Sequence, residues 1–451
     1  MTRASDQHNW DDFCAMLGEI ETISDRSQVA KLSQDYYHFS PILQPLLQDK
    51  TGDMVVLPRS ESEVLKVAKL CVDYQIPLTV RGAGTGNYGQ CVPLKGGVIL
   101  DMSKMNNIVW IKPGCACVEP GVKLAALDKK TREIGWELRM FPSTYRTATI
   151  GGFIGGGSGG IGSITYGQLR DNGNLHAVRV VTLEAEPRII ELRGDAVQNI
   201  NHAYGTNGII TQLEIPLAPV YPWVELIVTF TEFMNAAKFG QALSQSDGII
   251  KKLVSICAAP IPSYFIPFRE MIPSGEQAAL LMVAETSLEP LQELIKNFQG
   301  KICYQKSTQE TVKGTTIIEF TWNHTTLHAR SIDPSLTYLQ TLFPADPELK
   351  LIQECYDYFG DEVIQHLEFL RTGGNLHPAG LQIVRFTNEA RLNEIIQYHE
   401  DRGAIIFNPH TYILEDGGMK KVDLQQLNFK RKYDPLGLLN PGKMRGWVDN
   451  G

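Results

Sequence analysis

Several features that mark common protein classes are missing from this 451-residue chain. It has no uninterrupted stretch of about 18 apolar residues, so we expect no membrane span. It carries 42 Lys and Arg against 50 Asp and Glu, and no basic cluster stands out, which argues against a nucleic-acid partner. Residues 1–8 lack the apolar core of a signal peptide. We therefore expect a cytoplasmic protein.

The eight cysteines are scattered, and no two have the Cys-x-x-Cys spacing. This distribution argues against a disulfide framework and against an internal iron–sulfur cluster. Cys115 and Cys117 are the only close pair, and in a strand their thiols would share one face. We expect them to be buried as small apolar residues.

A glycine loop, Arg81-Gly82-Ala83-Gly84-Thr85-Gly86, directly follows an apolar run at residues 76–80. Its three glycines allow positive φ angles and give a bulky anion close access to backbone N–H groups. The Walker lysine is missing, and no helical pattern follows before the next predicted strand at residues 97–100. By itself the loop predicts either a phosphate site or a tight turn without a ligand.

A second glycine tract spans residues 151–162, where eight of twelve residues are glycine. A flexible linker has a similar composition. However, Phe153, Ile154 and Ile161 lie inside the tract, and predicted strands follow at residues 178–183 and 188–192. A linker does not need these apolar residues, so we favour ordered structure.

The first half of the chain contains two predicted β-α-β units. In the first, a strand at residues 54–58 precedes a helix at 64–74, with Ser60 and Glu63 as a capping box, and a strand at 78–81 follows. The second unit has a strand near residues 115–119 and a helix near 122–134.

The pattern changes after Pro216, Pro219 and Pro222, which mark a domain boundary. Two strand-helix-strand repeats follow, and they predict a ferredoxin-like, mostly antiparallel sheet with helices on one face. Residues 345–370 are predicted to be helical, residues 381–386 to form a strand, and residues 424–440 to form a short helix with an extended exit.

These motifs together resemble the vanillyl-alcohol-oxidase type of FAD-binding proteins, also called PCMH-type, and within it the D-type subunit of glycolate oxidase and the D-lactate dehydrogenases. The segments that carry the resemblance are 81–86, 97–102, 118–122, 149–152, 166–167, 208–211 and 433–443. The resemblance implies an α+β fold, with a two-subdomain PCMH-type FAD-binding domain and a ferredoxin-like cap domain over the flavin. The implied divisions are an N-terminal helical segment (1–47), the FAD-binding domain (48–219), the cap (220–403) and a C-terminal segment that returns to the FAD-binding domain (404–451).

The same resemblance implies where FAD binds. Covalent branches of the fold carry a histidine in the first glycine loop, and Thr85 stands at that position, so we expect non-covalent FAD. The implied cofactor-binding residues are Arg81, Gly82, Ala83, Gly84, Thr85, Gly86, Asn87, Pro142, Ser143, Thr149, Gly151, Gly152, Gly155, Ser158, Gly159, Tyr166, Gly208, Ile209 and Asn440.

The chain departs from the metal site of the D-lactate and 2-hydroxyglutarate dehydrogenase branch. That branch has His-x-Gly-Asp-Gly-Asn-x-His, whereas here Leu370 and Gly373 replace the first histidine and the aspartate. Pro409 replaces the glutamate of a later Glu-His pair. Two remaining imidazoles make a poor divalent-metal site, so we expect no metal.

Oxidation of a hydroxy acid needs a base for the hydroxyl proton and a cation for the carboxylate. Histidine suits the base because its pKa lies near neutral pH, and the arginine fork matches a carboxylate. The candidate bases are His410, His377 and His324, and the candidate clamps are Arg330 and Arg371. For each histidine, a purely structural role is the alternative.

The sequence thus predicts an FAD-linked oxidase or dehydrogenase that oxidises a small 2-hydroxy acid of the D-lactate or glycolate type. The electron acceptor stays open, because no second redox centre is visible. The alternatives are a same-fold flavoenzyme for another alcohol or sugar acid, a flavoprotein subunit of a larger electron-transfer complex, and a non-redox transferase like the alkyl-dihydroxyacetone-phosphate synthases.

Overall fold

The computed structural model describes residues 4–308, 314–418 and 421–447. The chain begins with three helices that pack beside a four-stranded sheet of order β1-β2-β4-β3. The parallel core of this sheet, β2, β4 and β3, is crossed by a fourth helix whose N-cap is Ser60. The helices are α1 (Ala4–Leu17), α2 (Arg26–Leu32), α3 (Leu43–Leu47) and α4 (Glu61–Asp73), and the strands are β1 (Glu21–Ile23), β2 (Met54–Leu57), β3 (Leu78–Arg81) and β4 (Val98–Asp101).

A second sheet has the order β5-β6-β10-β8-β9, and β7 also pairs with the long strand β10. Its β10–β6, β10–β8 and β8–β9 ladders are antiparallel, and they bury Ala116, Val178 and Leu213. The strands are β5 (Ile108–Lys112), β6 (Cys115–Val118), β7 (Trp136–Leu138), β8 (Ala177–Val181), β9 (Ile189–Arg193) and β10 (Ile209–Pro219); the helices are α5 (Leu124–Arg132), α6 (Ile150–Gly156) and α7 (Ser163–Tyr166).

The cap begins with β11 (Trp223–Phe230), which runs fully buried through its sheet. The order β11-α8-β12-β13-α9-β14 is the βαββαβ pattern of a ferredoxin-like unit, and its strands pair antiparallel. The predicted cap architecture is therefore confirmed. The other elements of the unit are α8 (Phe233–Gln245), β12 (Lys251–Cys257), β13 (Gln277–Ala284), α9 (Leu288–Asn297) and β14 (Lys301–Ser307).

The cap sheet continues beyond this unit to eight strands, and a separate three-stranded sheet, β15-β20-β17, lies beside it. The strands added to the cap sheet are β16 (Thr341–Leu342), β18 (His366–Thr372), β19 (Asn375–Gly380) and β21 (Ile405–Ile406). The separate sheet consists of β15 (Leu336–Tyr338), β17 (Val363–Ile364) and β20 (Ile383–Arg385). The helices are α10 (Asn323–Ile332), α11 (Lys350–Phe359), α12 (Glu389–Glu400), α13 (Leu414–Gly417) and α14 (Leu424–Tyr433).

The predicted helix over residues 345–370 is wrong in its second half. Only Lys350–Phe359 is α-helical, and strands β17 and β18 follow. Gln365, His366 and Glu368 are buried together with Val363 and Leu367. Because polar and apolar residues of these strands are buried alike, the sequence lacks the polar–apolar alternation that identifies a strand.

The C-terminal segment returns to the first sheet after α14. Leu439 forms a parallel bridge with Leu78, and the amide of Asn440 donates to the Leu78 carbonyl at 2.7 Å. The domain limits themselves stay predictions. Within the ranges that the structure describes, no helix is long and apolar enough to cross a lipid bilayer.

A buried ion pair joins the cap to the second sheet. Lys252 Nζ lies 2.6 Å from Glu137 Oε1, and both side chains are 1% exposed. The Trp223 indole also donates to Glu137 at 3.0 Å, and Arg132 Nη2 lies 2.6 Å from its Oε2. Removing one partner from such a pair leaves a charge buried and costs about 3–5 kcal/mol. These contacts hold the cap in a defined position against the second sheet.

Candidate cofactor and active site

A cavity of ≈ 690 Å³ lies between the first two sheets and the cap. Its volume is within the range of about 300–1,000 Å³ that small-molecule sites occupy. One wall comes from segments 80–91, 142–159 and 200–210. The opposite wall comes from the cap and β21 region, through Trp322, Asn323, Gln340, Thr341, Leu342, Leu370, Thr372, Ala379, Gly380, Leu381, Ile405 and Phe407.

The first glycine loop is held by a buried guanidinium. Arg81 Nη1 donates to the Gln34 carbonyl at 2.6 Å and packs under the turn at Gly84. Gly84 has φ +65°, and a β-carbon there would lie 2.1 Å from Arg81 Nη2. Glycine is required at this position by the backbone angle and by the space that Arg81 fills.

The second glycine tract begins as a helix, which the sequence reasoning missed. Thr149 caps α6 by accepting from the Gly152 amide at 3.4 Å. A β-carbon at Gly82 would lie 2.3 Å from Thr149 Oγ1, so the two glycine tracts touch. Gln90 Nε2 donates to the Gly156 carbonyl at 2.8 Å and ties the tracts together again.

The cavity walls fit a large flat cofactor such as FAD. Gly155 lines the cavity, and a β-carbon built there meets no atom within 4 Å, so a side chain would occupy the cavity. Asp35 Oδ2 also lies at the cavity, buried and without a hydrogen-bond partner. A wall without side chains leaves room for the flat rings of such a cofactor, and a donor group of the cofactor could satisfy the unpaired carboxylate oxygen.

Sixteen of the nineteen predicted cofactor-binding residues line this cavity, and Tyr166, Ile209 and Asn440 do not. Asn440 Nδ2 instead donates to the carbonyls of Gln90 and Tyr204, at 2.8 and 2.5 Å. Asn440 therefore braces two of the wall segments from behind. Contact of any of these residues with FAD stays a prediction.

His410 lies in a buried polar pocket and is absent from the cavity lining. Its Nδ1 lies 2.8 Å from Ser40 Oγ, and its Nε2 lies 2.9 Å from the Tyr338 carbonyl. Burial lowers the pKa of His410 to about 4. Both ring nitrogens are thus engaged with protein groups, and this geometry does not support a role as base.

The other predicted catalytic residues also lie outside the lining. His377 Nδ1 faces the Phe343 carbonyl at 3.2 Å, and burial lowers the pKa of His324 to about 4. Arg330 donates to the carbonyls of Leu336 and His38, and Arg371 Nη2 pairs with Asp247 at 2.8 Å. The structure does not bring these four side chains together, and their catalytic roles stay predictions without geometric support.

A chain of hydrogen-bonded side chains, which the sequence motifs did not reveal as a unit, joins the two walls of the cavity. Tyr88 OH donates to Gln340 Oε1, and Gln340 Nε2 donates to Asn323 Oδ1 at 3.1 Å. All three residues line the cavity, with Tyr88 on one wall and the two amides on the other. Tyr88 lies two residues beyond the first glycine loop, and Asn323 lies in the polar cap segment 322–330, which also contains the candidates His324 and Arg330.

Trp322, which begins the same polar segment, and His202, which no sequence pattern indicated, also line the cavity. Trp322 has φ +52°, and its amide donates to the buried Glu368 carboxylate at 2.7 Å, which supports this strained backbone. His202 Nδ1 lies 2.8 Å from the Gly157 carbonyl, and burial lowers its pKa to about 4. Because a carbonyl only accepts, Nδ1 carries the hydrogen and Nε2 keeps its lone pair.

The described part of the chain holds no cluster of three or more His, Cys, Asp or Glu side chains that could bind a metal ion. The Cys115 and Cys117 thiols, which share strand β6, lie outside the cavity lining.

Comparisons with known proteins identify the cofactor. Residues 52–192 match the FAD binding domain family. Glycolate oxidase subunit GlcD of Bacillus subtilis (strain 168) is 24% identical over 429 residues, covering 87% of this chain and 88% of that protein. The mitochondrial D-lactate dehydrogenase [cytochrome] of Arabidopsis thaliana is 29% identical over 212 residues, but this alignment covers only 46% of this chain and 37% of that protein.

Solved structures share the fold. An alkyldihydroxyacetonephosphate synthase has a TM-score of 0.71 at 16% identity, covering 97% of this chain and 85% of the other. p-Cresol methylhydroxylase with substrate bound has a TM-score of 0.69 at 17% identity, covering 98% and 97%. At these identities the likeness establishes the fold alone.

Gly155→Val should weaken FAD binding by at least about 100-fold, because the branched side chain enters the cavity while no protein atom is displaced. The measurement is fluorescence titration of the apoprotein with FAD. Gly248→Val is the matched control, since Gly248 is exposed and also has open space around it. Equal FAD affinity of Gly155→Val and wild type would place the cofactor elsewhere.

His410→Asn should lower the thermal unfolding midpoint and leave the rate of flavin reduction by substrate unchanged. The pKa of His410 in the folded protein, about 4, lies below its usual 6.5. Its stabilising contribution is therefore complete above pH 6.5 and is lost as the pH falls towards 4, at most about 3 kcal/mol. The unfolding midpoint of the variant should therefore fall less than that of wild type as the pH is lowered from 6.5 to 4. A slower flavin reduction at unchanged stability would instead support the sequence-based assignment.

Proposed function

We propose, from the premise that this chain belongs to the flavoproteins with a PCMH-type FAD-binding domain, that it oxidises the CH–OH group of a small 2-hydroxy acid of the D-lactate or glycolate type. The observation that carries the assignment as an FAD-linked oxidoreductase is the shared cavity, in which a glycine-lined wall that fits FAD faces the cap. The alignment with a glycolate oxidase subunit over 87% of the chain supports the choice of substrate class.

FAD supplies the hydride acceptor for this reaction. The chain's own part is to orient the substrate and to manage its hydroxyl proton. Burial raises the pKa of Tyr88 well above its usual value, so the phenol stays protonated and donates hydrogen bonds. Gln340, held by Tyr88 and Asn323, fixes the side of the cavity that a substrate hydroxyl would contact.

His202 takes the place of His410 as the first candidate for the proton acceptor. Among the histidines of the described residues, His202 is the one that lines the cavity. Its neutral ring leaves Nε2 able to accept a proton, although a pKa of about 4 makes it a weak base. We also propose that FAD is bound without a covalent link, because Thr85 lines the cavity where covalent relatives carry histidine.

A second candidate function is oxidation of another alcohol or of a sugar acid. Every described cap residue in the cavity lining is uncharged, and the charged lining residues, Asp35, Arg81, Arg170 and Asp171, all lie outside the cap. Arg170 is paired with Asp423 at 2.8 Å. A substrate carboxylate next to the cap would therefore lose its hydration without an ion pair to a cap residue. This cost of desolvation favours a neutral alcohol as substrate.

The chain could also work as the flavoprotein subunit of a larger electron-transfer complex. The name of the Bacillus subtilis relative, a glycolate oxidase subunit, supports this alternative. The electron acceptor and any partner chain are not assigned.

Anaerobic mixing of the FAD-loaded protein with D-lactate or glycolate should bleach the flavin absorbance near 450 nm, as expected for two-electron reduction. The same panel should contain L-lactate, neutral primary and secondary alcohols and sugar acids. Bleaching by neutral alcohols alone would replace the hydroxy acid with the second candidate. No bleaching by any compound would contradict the oxidoreductase proposal.

Tyr88→Phe should slow flavin reduction by about 10- to 100-fold while FAD affinity changes little, because the variant loses the donor that holds Gln340. The measurement is stopped-flow absorbance with the best substrate of the panel. Tyr37→Phe is the matched control, since Tyr37 is also buried but lies outside the cavity lining. Equal rates for wild type and Tyr88→Phe would remove Tyr88 from the reaction.

A further inference from the structure

Asp35 belongs to the N-terminal segment, which the sequence motifs did not connect with the cofactor. Its side chain is 7% exposed and lies at the cavity beside the first glycine loop. Oδ1 accepts from the Tyr37 amide at 2.9 Å, and the neighbouring Tyr36 amide donates to the Gly86 carbonyl at 2.8 Å. A β-carbon built on Gly86 would lie 3.7 Å from Asp35 Oδ2. The segment is therefore attached to the loop that bounds the cavity.

The second carboxylate oxygen of Asp35 is buried and has no hydrogen-bond partner. Leaving a buried carboxylate oxygen unpaired is costly, so such an atom in a cavity indicates a missing donor. The two nearby cations do not fill this role, since their hydrogen bonds go elsewhere. Arg81 Nη1 donates to the Gln34 carbonyl at 2.6 Å, and Lys443 Nζ donates to the Gly89 carbonyl.

Two buried cations, Arg81 and Lys443, lie near this carboxylate. Burial raises the pKa of Asp35 to about 6, and the charges of Lys443 and Arg81 and the backbone amides of Tyr37 and Gln90 oppose this rise. Burial likewise lowers the pKa of Lys443 to about 8. An ionised carboxylate accepts hydrogen bonds only, so a ligand that pairs with Oδ2 must present an O–H or N–H group.

The position of Asp35 indicates which half of FAD supplies that group. A β-carbon on Gly86 would lie 3.7 Å from Asp35 Oδ2 and 2.0 Å from Gln90 Oε1, and the carbonyls of Gln90 and Tyr204 both accept from Asn440 Nδ2. The Tyr204 ring stacks on Tyr88, which bonds to Gln340 of the cap. This is the cap end of the cavity, where the flavin must meet the substrate. The pyrophosphate is excluded as the partner because two anions repel each other.

We propose that Asp35 Oδ2 accepts a hydrogen bond from the flavin half of FAD, either from a hydroxyl of the ribityl chain or from the N3–H of the ring, so that the N-terminal segment forms part of the cofactor site. The inference rests on FAD as the cofactor, and it does not depend on which substrate is oxidised.

The test is titration of the apoproteins with FAD and, separately, with ADP, which lacks the flavin half. Asp35→Asn should raise the Kd for FAD by about 10- to 100-fold, as expected for loss of a charge-assisted hydrogen bond, and should change the Kd for ADP less than about 2-fold. Asp101→Asn is the matched control. Asp101 is 6% exposed and bonds the Ser103 amide at 2.9 Å in the same two-residue turn, but it is absent from the cavity lining.

A third probe, FAD methylated at N3, separates the two donors. If the ring N3–H is the donor, the Kd of wild type for this analogue is higher than its Kd for FAD, and Asp35→Asn does not raise the Kd for the analogue further. If a ribityl hydroxyl is the donor, Asp35→Asn raises the Kd for the analogue by the same factor as the Kd for FAD. Both results support the proposal.

Unchanged FAD affinity of Asp35→Asn, or an equal loss of FAD and ADP affinity, would overturn the proposal. The second result would make Asp35 a structural counter-charge of Arg81 and Lys443. If Asp35→Asn does not fold, Asp35→Glu keeps the charge and moves the carboxylate, and it should still weaken FAD more than ADP. These readouts are affinities, so failure of this inference is distinct from failure of flavin bleaching by hydroxy acids.

Discussion

The structure depends on the direct contact of two glycine-rich segments, with almost no side chain between them. Gly82 approaches Thr149 and Gly152 so closely that a single β-carbon would collide with the Thr149 hydroxyl. Arg81 holds the first segment from below, and Gln90 ties it to the second through the Gly156 carbonyl. Because the walls are mostly backbone, the space between them can admit a large flat cofactor. The C-terminal segment keeps this arrangement closed, since Asn440 bonds two wall carbonyls at once.

The cap supplies chemistry of a different kind. Its cavity face consists of an indole, two amides, two threonines and apolar residues, and no charged residue of the cap, as far as the structure describes it, lines the cavity. The buried pair of Lys252 and Glu137 fixes the cap on the second sheet, so the amides of Asn323 and Gln340 face Tyr88 at a defined distance. In the proposed reaction this face would orient the substrate mainly with neutral hydrogen bonds, and FAD would accept the hydride.

Much of the fold could be predicted from the sequence, because most helices and strands are marked by local patterns of apolar residues, caps and turn residues. The two strand-helix-strand repeats after Pro222 predicted the βαββαβ order of the cap, which begins with strand β11 (Trp223–Phe230). The prediction failed at residues 363–370, because polar Gln365, His366 and Glu368 are buried there as completely as their apolar neighbours, and no polar–apolar alternation identifies the strands. It also missed helix α6, because glycine has a low intrinsic helix propensity and the Thr149 cap and tertiary contacts decide the outcome.

The sequence by itself determined the glycine tracts, and with them most of the cavity wall, because backbone access depends on residues that are adjacent in the chain. It did not determine the reacting groups. His410, His377 and Arg330 lie in a polar context in the sequence, but folding turns each of them towards carbonyls or hydroxyls of other segments. Asp35, Tyr88, His202 and Gln340 reach the cavity from four separate segments. Only the tertiary structure brings them together, since side-chain direction and burial are set by packing between distant parts of the chain.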